Sequence, residues 1–196
     1  MSGRIQMESH QSSAMRISWV IADNANLDPL IDHNDLKNIG PIWGSWKSWR
    51  QFKTDNVICY DFKKAHELLS RNFQEKCNFY IKEEDFVSLE RPTNVKLFRG
   101  QFPKEIDNCD DIVSMHLASS QSDIVLLLGF DLVQKNIADK LKAHQQHVYL
   151  HLVKSTIQSN SNVQWVILDQ PKSELKTYKD LTNFTTDTLQ QVLKQF

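Results

Sequence analysis

The chain has 196 residues, 40% of them hydrophobic and 24% charged, the balance of a soluble globular domain long enough to bury a core. Its formal net charge of −1 supplies no overall field to gather nucleic acid or an acidic membrane. No apolar run reaches membrane-spanning length and no signal peptide opens the chain, so a cytoplasmic protein without membrane partners is expected.

Residues 1–14 are polar, rich in Ser and Gln and without periodicity, and read as a disordered extension or tag ahead of one α/β domain over 15–196. Ile17 to Ala22 reads as a first strand ending in Asp23-Asn24, followed by an irregular piece with Pro29. Gly40-Pro41 then places proline at the start of a helix predicted to run to Phe52. Asn56 to Tyr60 is a second strand, and Asp61 suits the cap of a helix over Phe62–Phe73 with Leu68, Leu69 and Phe73 on its apolar stripe. Cys77 to Ile81 is a third strand with a short acidic helix after it, and Val95 to Phe98 a fourth. Asn108 or Asp110 caps a predicted helix reaching Ser120.

The fifth strand organises the rest. Asp123-Ile124-Val125-Leu126-Leu127-Leu128-Gly129 holds five consecutive aliphatics, too short for a membrane span and without a helical face. Such a run is a strand buried on both sides, the centre of a parallel sheet covered by helices. A long helix over Ile137–Gln158, a sixth strand over Val163–Leu168 and a final helix to Phe196 complete the chain. The alternation predicts a three-layer Rossmann-like α/β fold with a mostly parallel sheet of about six strands. Cys59, Cys77 and Cys109 lie far apart without C-x-x-C spacing and read as reduced packing residues.

Open parallel sheets bind ligands beyond the carboxyl ends of their strands. Those ends carry Asp23-Asn24, Asp61, Gly129-Phe130-Asp131 and Asp169. Two readings fit each aspartate: a helix cap after a βα loop, or a base or hydroxyl acceptor facing a ligand. Asp131 and Asp23 are the candidate catalytic residues, with Asn24, Asp61, Gly129 and Asp169 as candidate ligand contacts. No G-x-G-x-x-G follows the first strand and no G-x-x-x-x-G-K-[ST] is present, which disfavours a dehydrogenase or a P-loop enzyme and leaves the cofactor unknown.

Trp43, Trp46 and Trp49 advance by three and would form one stripe on a helix, facing the core or stacking on a base with Lys47, Arg50 and Lys53 binding phosphate. Trp46, Trp49 and Arg50 are the candidate ligand contacts of this stretch, although one short patch on a neutral chain makes nucleic acid an unlikely partner. His144, His147 and His151 share one side of the long helix, but no H-E-x-x-H pattern supports a metal, and none is assigned. No serine lies in a G-x-S-x-G context, so a serine hydrolase is disfavoured.

The phrases WGSWKSWR, NVICYDFKKAHELL and DIVLLLGFDL resemble uncharacterised proteins of large tailed phages of marine bacteria, which implies origin and a host-cytoplasm location. The strand ending in Gly129-Phe130-Asp131 is similar to the G-x-D of family-42 sialyltransferases and related Rossmann-like transferases, although their glycine-rich first turn is replaced by Asp23-Asn24. Two functions follow as expectations. The first is binding of a nucleotide or other phosphorylated small molecule at the strand carboxyl edge, as a transferase or hydrolase in its enzymatic form. The second is a non-enzymatic phage interaction or assembly protein on an α/β scaffold.

Overall fold

The computed structural model describes residues 15–23, 33–100, 109–133 and 136–195. The predicted extension over 1–14, the piece around Pro29, the candidate ligand residue Asn24 and the candidate cap Asn108 lie outside the described residues. In chain order the elements are β1 (Ile17–Ile21), α1 (His33–Ile39), β2 (Ile42–Ser45), α2 (Trp46–Phe52), β3 (Asn56–Cys59), α3 (Phe62–Leu69), β4 (Asn78–Lys82) and β5 (Val95–Phe98). They continue with α4 (Cys109–Ser119), β6 (Ile124–Leu128), α5 (Lys140–Ser159), β7 (Gln164–Leu168), β8 (Phe184–Asp187) and α6 (Leu189–Gln195). Short 3-10 turns lie between several of them.

All eight strands form one parallel sheet in the order β5-β4-β3-β2-β1-β6-β7-β8. The aliphatic run is central as expected, and its side chains explain why it has no polar face. Val125 and Leu127 enter the core under α4 and α5, whereas Leu126 and Leu128 enter the opposite core with Leu36 of α1 and Leu189 and Val192 of α6. In β1, Trp19 and Ile21 share the side of Leu126, and Val20 shares that of Val125. Alternate residues therefore meet two different apolar layers, and both sets must be hydrophobic.

The chain winds outward from β1 to β5 with α1, α2 and α3 on one face. It then crosses back to β6 and continues to β8 with α4 and α5 on the other. Crossovers of one hand that travel in opposite directions must deposit their helices on opposite faces.

The sheet has eight strands rather than about six because two were hidden in the sequence. Ile42 to Ser45, predicted as the start of a helix, is β2, pairing with β1 through Trp19↔Ile42 and with β3 through Trp43↔Asn56. Burial overrides local pattern here: Ile42 and Trp43 point into opposite cores, as only an extended segment allows. The helix starts at Trp46, where Ser45 and Ser48 form a reciprocal capping box. Trp43 thus leaves the predicted three-tryptophan stripe and packs against Tyr80, ring centroids 5.4 Å apart. The second hidden strand, β8, is polar because it is an edge with Thr185 exposed, and it pairs with β7 from Trp165↔Phe184 to Leu168↔Asp187.

Candidate functional site

The order of strands reverses between β1 and β6: the chain leaves β1 toward β2 and returns to pair β6 on the other side. The loops leaving two such strands diverge to opposite faces and open a crevice at their carboxyl ends. Ile21 is in register with Leu128, and the Ala22 N–H donates to the Leu128 carbonyl at 3.0 Å, so Asp23 and Gly129-Phe130-Asp131 emerge side by side at this reversal. The two candidate catalytic residues therefore belong to one edge.

Asp23 caps no helix among the described residues. Its side chain, only 3% exposed, accepts a hydrogen bond from Lys47 Nζ at 3.0 Å and a short one from the Ser45 hydroxyl. The same Ser45 oxygen accepts the N–H groups of Lys47 and Ser48, which fixes the start of α2 against the end of β1. Burial works to lower the Lys47 pKa, yet the bond with Asp23 and the fields of Asp23, Asp110 and Asp111 hold it above its ordinary value.

Two further carboxyl groups lie close by, both in the first turn of α4. Asp110 Oδ1 accepts the Tyr60 N–H at 2.6 Å, so it bridges α4 to the end of β3 and is not a helix cap. Desolvation, reinforced by the charges of Asp23 and Asp61, raises its pKa to about 7 against the Tyr60 bond and the Lys47 charge. Asp111 is 1% exposed and accepts the backbone N–H of Asp23. Burial and the neighbouring carboxylates Asp23 and Asp110 push its pKa well above the ordinary value. Its Oδ1 has no hydrogen-bond partner among the described residues.

Tyr149 of α5 completes the group. Its phenol pKa is raised, first by burial and then by fields that include Asp111, Asp23 and Asp131, so all three aspartates lie in electrostatic reach of Tyr149. Three carboxyl groups, Asp23, Asp110 and Asp111, thus lie in the field of Lys47. Burial and mutual repulsion favour the protonated forms of Asp110 and Asp111, and the arrangement suits acid–base work or recognition of hydrogen-bond donors.

Beyond β6 and β7 the same edge is grooved. Gly129 has φ 76°, a turn that a side chain would strain, and it leads to Asp131, which accepts the Val133 N–H at 3.4 Å. A cleft of about 220 Å³ is lined by Gly129, Phe130, Asp131, Asp169 and Gln170 with parts of Leu128 and Leu168. A neighbouring cleft of about 500 Å³ shares Asp169 and Gln170 and adds Lys172, Thr186, Asp187 and Gln191 among its lining. Gln170 donates a short hydrogen bond to the Phe130 carbonyl, and its buried Oε1 has no partner among the described residues. Asp169 caps at a distance, accepting the Leu189 N–H of α6 at 3.2 Å.

Other sequence candidates lie elsewhere. Asp61 caps α3 through the Lys64 N–H at 2.6 Å, which is the structural reading of that residue. Trp46 and Trp49 pack with Val57, Ala65, Phe73 and Phe79, toward β3 and β4 rather than the β1–β6 crevice. Lys64 lies 4.0 Å from the Trp46 ring centre with Arg50 at 5.9 Å, and Lys53 lies 4.0 Å from that of Trp49. The structure does not gather Trp46, Trp49 and Arg50 with Asp131. His144, His147 and His151 are exposed on α5, and no group of three or more potential metal ligands is assembled among the described residues. Cys59 and Cys77 are free thiols held neutral by burial.

Sequence reasoning took Asp110 only as a cap and passed over Asp111 and Tyr149. The available signal was an acidic pair, Asp110-Asp111, opening the helix that feeds the central strand. Comparison with family models, with curated proteins and with solved structures finds no match to this chain. Among the described residues no helix is long and apolar enough to cross a membrane.

Proposed function

We propose that the protein binds a nucleotide or other phosphorylated small molecule at the carboxyl edge of its sheet, centred on the β1–β6 reversal. The observation that carries this reading is the emergence of Asp23 and Asp131 side by side where the strand order reverses, with Asp131 lining a cleft between the ends of β6 and β7 and a second cleft beyond it at β7 and β8. Lys172 in the wider cleft supplies a cation for a phosphate, and Asp131 in the narrower one supplies an acceptor for a polar group. As an enzyme it would be a transferase or hydrolase, with Asp131 as general base and the Asp110–Asp111 pair as a local proton store. The alternative of a scaffold for protein interaction needs the tryptophan segment as an exposed apolar patch; Trp46 and Trp49 are half-buried against the core beside β3 and β4.

A thermal-shift panel of nucleoside mono- and diphosphates, nucleotide sugars, sugar phosphates and divalent cations tests the reading. A ligand at about a hundredfold its Kd adds roughly 2.7 kcal/mol to stability. Asp131→Asn is expected to lose that gain while melting unchanged in its absence. A panel without any response would overturn the proposal.

A further inference from the structure

We propose that the buried carboxyl group of Asp111 receives a hydroxyl group of the ligand, so that the compound taken at this edge carries a ribose or another ring with vicinal hydroxyls. The inference rests on the reading of the carboxyl edge as the ligand site and names the part of the ligand that its acidic end recognises.

Three observations converge. Asp111 is 1% exposed and its Oδ1 is unpartnered among the described residues, an arrangement that costs folding free energy unless something supplies the missing hydrogen bond. Its second interaction is already committed, because the Asp23 N–H donates to the same carboxyl group and ties it to the end of β1. A second orphaned acceptor, Gln170 Oε1, lies on the same edge, beside the cleft that contains Asp131. Two buried acceptors at this edge are therefore left without a donor among the described residues.

The charge balance selects the kind of donor. Asp23 is matched by Lys47, whereas Asp110 and Asp111 form no ion pair among the described residues, so a phosphate at this end would meet like charge. A hydroxyl donates a hydrogen bond and carries no charge, so two adjacent hydroxyls match two adjacent carboxyl groups without adding to the negative charge there. The phosphate belongs at the other end, toward Lys172.

The test uses the whole chain and calorimetric titration of AMP, CMP and ribose 5-phosphate, each against the analogue lacking ring hydroxyls: 2′,3′-dideoxy-AMP, 2′,3′-dideoxy-CMP and 2-deoxyribose 5-phosphate. The hydroxyl-bearing compounds are expected to bind at least about tenfold tighter. Asp111→Asn should shrink that ratio toward one, and because the ratio is read first on the unaltered protein, a variant that fails to fold does not decide the matter. Equal affinity within each pair overturns the inference and leaves the ligand site standing. So does binding confined to other phosphorylated compounds, with pyrophosphate as the probe. Silence from every compound overturns both.

Discussion

Lys47 Nζ lies 3.0 Å from Oδ2 of Asp23, joining a cation that is half in water to a carboxylate that is almost wholly out of it. The pair crosses from the first turn of α2 to the end of β1. The charge of Lys47 acts on Asp110 and Asp111 as well as on Asp23.

Lys47→Met strands the Asp23 carboxylate. Loss of one partner of a fully buried pair costs about 3–5 kcal/mol, and the exposure of Lys47 reduces this to an expected ~1–2 kcal/mol. Urea unfolding at pH 7 measures it. The double variant Asp23→Asn/Lys47→Met should recover part of the loss, since no unpaired charge remains; strictly additive losses would show that the two residues do not interact.

Asp110 makes stability depend on pH in an unusual direction. Its folded pKa of about 7 lies above the ordinary carboxyl value, so between about pH 4 and pH 7 the folded chain holds a proton that the unfolded chain has released. The contribution of this group is fully present below the unfolded value and is lost as pH rises through about 7. Each pH interval of separation is worth about 1.4 kcal/mol. Urea midpoints followed from pH 4 to 8 should decline for the wild type relative to Asp110→Asn, which still offers an acceptor to the Tyr60 N–H. Parallel profiles would refute the assignment.

Gly40 approaches the backbone of β1 so closely that a Cβ would collide with the Ile17 carbonyl oxygen, an atom that cannot move without disturbing the sheet. Gly44 is less constrained: a Cβ there would sit 3.0 Å from the Ile21 carbonyl oxygen and the Ser48 side chain. Gly40→Ala is expected to cost about 3 kcal/mol or more and Gly44→Ala less, as read from denaturant midpoints. The opposite order would contradict the β1–β2 packing.

Burial holds the Cys77 thiol up to about 12 and that of Cys59 higher still, so neither presents thiolate near neutral pH. In a Cys109→Ser background at pH 8, both should react with a disulfide reagent at least about a hundredfold more slowly in buffer than in denaturing urea. Equal rates would place at least one of them at the surface.

The aliphatics from Ile124 to Leu128 announced their position because a strand facing two apolar layers has no polar residue to offer, and burial of that kind is written in composition. Asp61 was legible for a related reason: its cap is made with Lys64, three residues on. The three-layer parallel architecture and the gathering of Asp23 with Asp131 followed from the same local signals plus the geometry of parallel crossovers, whereas the order of the strands did not.

What only the tertiary structure decided are pairings between residues far apart in the chain. Trp43 reads as helical beside Trp46 and Trp49, yet contacts with β1 and β3 hold it in a strand, since pairing on both sides outweighs a weak local preference. Asp110 and Asp111 have the spelling of an ordinary helix start. Their pKa values rise because α4 docks its first turn against Tyr60 and Asp23, residues some 50 and 90 positions earlier, which takes Asp111 out of water and Asp110 partly so. A residue's type is local, but its solvation belongs to the fold, and the chemistry of this edge depends on solvation.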